Sequence, residues 1–109
     1  MARAETVPYG VETRVRFRCP GCDSHHYLRV PPLSPAWGFN GDFDRPTFTP
    51  SVLVEYSGPD AGQDRGDGDR APPARCHSFV TDGRIQFLAD STHSLSGQTV
   101  DLPNIEAAP

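Results

Sequence analysis

The chain has 109 residues, enough for one domain, and only 36% of them are hydrophobic, which limits the core it can build. Twelve prolines and ten glycines argue against long helices and for strands, turns and irregular loops. A net charge of −4 opposes a nucleic-acid partner, and no apolar run is long enough for a membrane span or a signal peptide, so a cytoplasmic protein is expected.

Taken in chain order, the first predicted strand is 11–18, with Val11, Thr13, Val15 and Phe17 on one face and Glu12, Arg14, Arg16 and Arg18 on the other. It runs into Cys19-Pro20-Gly21-Cys22, and a second strand, 26–30, follows with Tyr27 or Leu28 facing the core. Strand, Cys-x-x-Cys knuckle, strand is the pattern of a zinc ribbon, because the tight turn sets two thiolates on one side. Prolines 31, 32 and 35 then break regular structure, and Trp37-Gly38-Phe39 closes on an Asn40-Gly41 turn. A third strand is predicted over 52–56, entered through Pro50 and Ser51.

Residues 57–75 hold four Asp, four Gly, three Pro, three Arg and no aromatic residue, and read as a mobile excursion. Its Asp64 to Asp69 run lacks the spacing and closing Glu of an EF-hand loop. Segments 77–81 and 84–88 flank Asp82-Gly83, a strong hairpin signal, and a short strand is expected over 99–102. The tail from Pro103 reads as loose. The expected fold is mainly β: a small antiparallel sheet with a zinc-ribbon-like knuckle and long irregular loops, one domain over 1–109, compact over about 11–103.

Three cysteines cannot all pair as disulfides, and reduced thiols in this spacing point to metal. Cys19, Cys22 and Cys76 supply three ligands of a structural zinc site; the fourth is sought among His93, His77, His26 and His25. Neighbours on a strand point to opposite faces, so if Cys76 binds metal, His77 is free for another task. His93, beyond the hairpin, is the favoured fourth ligand. The plainer reading makes Cys76 a small buried hydrophobe.

Ser51 sits stiffly between Pro50 and an apolar strand. Such a serine commonly bonds only its own backbone; as a nucleophile it needs a base within reach and a group that orients the base. His77 is the candidate base with His26 as competitor, and Asp90 or Asp42 the candidate orienting acid.

Several motifs in order carry a family resemblance: Phe17-Arg18-Cys19-Pro20-Gly21-Cys22, His26, Trp37 to Gly41, Arg45 to Ser51, Arg75 to Phe79, Asp82 to Leu88 and Thr92 to Val100. Over roughly 17–103 the chain resembles a small bacterial and phage family long treated as a domain of unknown function, some members of which carry a misleading ammonia-monooxygenase label. Members lie beside the Bub ubiquitin-like conjugation genes associated with antiviral defence. The resemblance implies a serine peptidase that trims or releases a ubiquitin-like protein at its C-terminal tail, with Pro50-Ser51 and Cys76-His77 at the matching positions. Many relatives have a cysteine where this chain has Ser91, so the resemblance does not fix the ligand set. Trp37 and Phe39 are expected to line a groove for an extended tail or to join the core.

Overall fold

In a computed structural model, which describes residues 2–63 and 70–105, the chain forms eight strands and, among these residues, no α-helix. A three-stranded antiparallel sheet contains β1 (Ala4–Tyr9), β2 (Glu12–Cys19) and β3 (Ser24–Leu28) in that spatial order. A five-stranded antiparallel sheet follows, ordered β4 (Gly38–Phe39), β5 (Phe48–Glu55), β6 (Arg75–Thr81), β7 (Arg84–Phe87) and β8 (Thr99–Asp101). The mainly β expectation holds, with two small sheets in place of one.

Alternation explains how the sheets meet. Val15, Phe17 and Cys19 of β2 are buried, as are Phe48 and Val52 of β5, Cys76, Ser78 and Val80 of β6, and Ile85 and Phe87 of β7. Phe17 stacks on Phe48 across the sheets at 5.7 Å between ring centroids, and Phe39 also stacks on Phe48 at 5.0 Å. The other face of the large sheet looks to solvent and carries Leu53, His77 and Phe79.

β1 lies outside the expected compact part. It is an edge strand with a single fully buried side chain, Ala4, and it tolerates Pro8 for that reason. Val11, placed on the apolar face from the sequence, is instead fully exposed at the tip of the β1–β2 turn, where Gly10 takes a φ of 62°. The segment after Pro103 is held through Ile105, whose N–H donates to Ala2 O at 2.9 Å. Of the excursion expected to be mobile, residues 64–69 and with them most of the Asp64 to Asp69 run lie outside the described residues. Its flanks are closed by Ala71 N–H to Gln63 O (2.8 Å) and Gly62 N–H to Ala71 O (3.1 Å), and Ala71 is fully buried. The Asp82-Gly83 hairpin forms as expected, both residues at positive φ. No helix of the described residues is long and apolar enough to cross a membrane.

β5 contains an irregularity that matters for the site. Phe48 pairs with Val80 but Val52 with Ser78, so the register slips by two residues around Thr49, Pro50 and Ser51. A proline inside a strand favours such a bulge, because it has no N–H for the ladder, and bulges re-aim side chains.

Candidate active site and metal centre

Bulge and pairing together bring three side chains into line on the solvent face of the large sheet. Ser51 Oγ lies 3.2 Å from His77 Nε2, and His77 Nδ1 lies 3.2 Å from Asp90 Oδ2. His77 is on β6 directly opposite Leu53 of β5, and Asp90 follows β7 on the adjoining turn. Both contacts are at the outer limit of hydrogen-bond reach, as is usual in a site without substrate. With Asp90 accepting the Nδ1 proton, the Nε2 lone pair faces the serine hydroxyl. The hydrogen bond from His77 and the positive charge of Arg75, 3.6 Å away, hold the Asp90 carboxyl below its ordinary range. Asp42, the other candidate acid, instead accepts N–H bonds from Asp44 and Arg45 in its own loop.

The His77 main chain is fixed as well. Ser91 Oγ accepts from His77 N–H and donates to His77 O, both at 3.0 Å, and is itself buried. Sequence reasoning left this residue without a role beyond noting the relatives' cysteine. Ser51 O accepts from the Trp37 indole at 2.8 Å, so Trp37 braces the serine from the opposite side. Beside Ser51 opens a largely apolar cleft of about 380 Å³ lined by Arg29, Pro35, Ala36, Trp37, Pro50 and Ser51. Trp37 thus lines a groove, whereas Phe39 stacks on the core.

On the inner side, Cys19, Cys22, His26 and Cys76 are all buried, and one ligand atom from each lies within 4.8 Å of every other. Cys19 Sγ is 3.9 Å from Cys76 Sγ, and Cys22 Sγ is 3.5 Å from His26 Nε2. The grouping differs from the expected one: His26, not His93, lies with the three thiols, on the buried face away from Ser51. Pairing explains this: β3 folds back on β2 with His26 opposite Phe17, so His26 shares the buried face of Cys19 and Leu28. His93 stands outside the four. Its ring packs edge-on against Phe87 at 4.4 Å and over the backbone of Gly21, and its Nδ1 accepts from Leu95 N–H. Burial pushes the His93 imidazole below its ordinary pKa.

The three thiols cannot all ionise unaided. Hydrogen bonds from Cys22 and Cys76 favour the Cys19 thiolate, and that bonding in turn pushes Cys22 and Cys76 up. A cation in their midst reverses this, since a bound metal holds coordinating thiols deprotonated. The buried Cys₃His cluster is compatible with a metal ion. Period two on β6 separates the two centres: Cys76 points inward to the cluster and His77 outward to Ser51.

The family model described as bacterial ubiquitination-like system serine protease (BubE) matches residues 3–88, a span that includes Ser51, His77 and all four cluster residues and stops just short of Asp90. No curated protein and no solved structure matches the chain. With more than half its length covered by that model, the chain belongs to the BubE family of serine proteases of bacterial ubiquitination-like systems.

Proposed function

We propose that this chain is a serine peptidase that trims or releases a bacterial ubiquitin-like protein at its C-terminal tail, and that its Cys₃His cluster binds a structural zinc. The observation that carries the reading is the Ser51–His77–Asp90 line, with 3.2 Å at each contact, on a protein of a serine-protease family. Ser51 Oγ attacks the scissile carbonyl while His77 Nε2 takes its proton; the tetrahedral adduct collapses as His77 returns that proton to the leaving amine. Water, deprotonated by the same imidazole, then hydrolyses the acyl-Ser51 ester. Asp90, already ionised, stabilises the imidazolium formed in each half. The cleft at Trp37 and Pro50 receives a residue beside the scissile bond.

Zinc suits the buried cluster on two grounds. A sulfur-rich set with one imidazole is a common structural zinc site, and tetrahedral geometry with Zn–S bonds of ~2.3 Å sets two sulfurs about 3.8 Å apart. The Cys19–Cys76 separation of 3.9 Å agrees. When bound, the zinc supplies rigidity. Four protein ligands leave no position for an activated water, which counts against a metallohydrolase.

The test combines native mass spectrometry with cleavage of a ubiquitin-like protein from the same bacterial system. One zinc per chain is expected in the wild type, Ser51→Ala, His77→Ala and His93→Ala, and none in Cys76→Ala. Cleavage is expected to fall by roughly 10⁴-fold or more in Ser51→Ala and His77→Ala. Full cleavage by Ser51→Ala would sink Ser51 as nucleophile, loss of zinc in His77→Ala would sink His77 as base, and no cleavage by the wild type would leave a binding module.

A further inference from the structure

The main chain of β5 beyond Ser51 has an open edge. Tyr56 N–H donates to Ala74 O, one pair beyond the strand, which fixes the phase of the β5–β6 ladder. On β6, the main-chain groups of the residues opposite Leu53 and Glu55 turn away from β5. His77 N–H goes to Ser91 Oγ and its carbonyl accepts from Leu88 N–H; Arg75 N–H goes to Thr92 Oγ1 and its carbonyl accepts from Thr92 N–H. Residues directly opposite in an antiparallel ladder either exchange both bonds or neither. Leu53 and Glu55 therefore aim their N–H and C=O groups away from β6, toward the side where β4 should lie.

β4 does not reach them. It pairs only with Phe48 and Thr49, and the Trp37 indole covers Ser51 O, after which the edge is bare. Among the described residues none donates to or accepts from the outward-facing Leu53 or Glu55 main-chain groups, and the Leu53 side chain is 45% exposed. The bare edge begins at Leu53, two residues beyond Ser51, on the same strand that contributes Pro50 and Ser51 to the apolar cleft.

We propose that the substrate binds as an extended strand added to this edge, pairing its main chain with Leu53 and Glu55 and passing Ser51 into the cleft formed by Pro35, Ala36, Trp37 and Pro50. The inference rests on the peptidase reading and deepens it. Two N–H and two C=O groups repeating every second residue, some 7 Å apart, match only another main chain in extended form. The substrate class follows: an unfolded segment such as a protruding terminal tail, able to lie flat for several residues. Apart from an open sheet edge, a folded surface presents no such free main chain. Side-chain selection falls to the cleft, and affinity to the edge.

The experiment uses ¹⁵N-labelled Ser51→Ala full-length protein and a synthetic peptide of the C-terminal tail of the system's ubiquitin-like protein, with wild-type cleavage of the intact protein measured in parallel. Hydrogen exchange at the Leu53 and Glu55 amides is expected to slow by at least about tenfold in the complex. A scan of singly N-methylated peptides is expected to weaken binding by about tenfold at alternate positions along the paired stretch, since only every second substrate N–H meets this edge. Cleavage by the wild type with unchanged exchange at Leu53 and Glu55, or a flat N-methyl profile, would overturn the strand and leave the peptidase standing. Absence of both cleavage and peptide binding would overturn both. Protection present without peptide and rising with protein concentration would give the edge to a second copy of the chain, overturning the proposal.

Discussion

Asp90 is the residue on which the electrostatics of the site turn, because it is the only carboxylate in contact with the His77 ring among the described residues. Asp90→Asn removes the charge that balances an imidazolium and lets the ring adopt the wrong tautomer. Given its solvent exposure, a fall in kcat on the order of a hundredfold with KM little changed is expected in steady-state cleavage. The same carboxyl has a stability signature. Its folded pKa is lowered by His77 and Arg75, so its stabilising effect is present above the ordinary carboxylate range and lost as pH falls through the folded value. Urea midpoints measured from neutral pH down to about pH 3 should therefore fall less steeply for Asp90→Asn than for the wild type. A parallel pair of curves would show that the contact is not maintained in solution. Gly21 makes a second, steric prediction. A Cβ there would collide with the His93 ring, which is held by Phe87 and Leu95. Gly21→Ala should cost about 1–3 kcal/mol in chemical denaturation and weaken metal retention against a chelator.

At the scale of elements, β6 shows how much alternation alone can tell. Neighbours on a strand face opposite ways, so a metal-binding Cys76 leaves His77 on the other side, and that inference needed only the sequence. The same rule held the signal for His26. Once Leu28 is assigned to the core, His26 two residues earlier shares its face and that of the buried thiol Cys19; the expectation of His93 rests instead on its place beyond the hairpin, from which it could swing back to the metal. His93 lies beyond the hairpin as expected, but its ring packs on Phe87. The bulge of β5 was hinted at by Pro50 within an apolar run, which reads equally well as a strand entrance. β1 was missed because an edge strand with one buried alanine and a proline has almost no pattern to read. The basic face of β2 proves to be a row of ion pairs, Arg14 with Glu12, Arg16 with Glu5 and Arg18 with Asp23, and so offers no bare cationic stripe.

For the whole molecule, the four-residue cluster is the joint between the sheets. Cys19 and His26 come from β2 and β3, Cys22 from the turn between them, and Cys76 from the large sheet. An ion bound there would clamp the sheets across the core that Phe17 and Phe48 fill. Chelation should thus lower Tm by on the order of 10 °C or more and expose the core, with loss of near-ultraviolet circular dichroism preceding loss of strand signal. Activity lost on chelation with Tm unchanged would favour a catalytic metal instead. Phe17, fully buried at the same joint, offers a metal-free comparison: Phe17→Ala should cost about 3–5 kcal/mol, a large share of the stability of a domain this size. The sequence by itself determined the β class, the Asp82-Gly83 hairpin, the Cys-x-x-Cys knuckle and the opposed faces of Cys76 and His77, since each rests on local periodicity or turn chemistry. Only the tertiary structure decided which histidine joins the thiols, which acid reaches His77 and where β5 lies open. Those depend on strand register and on the packing of one sheet against the other, which no local pattern encodes.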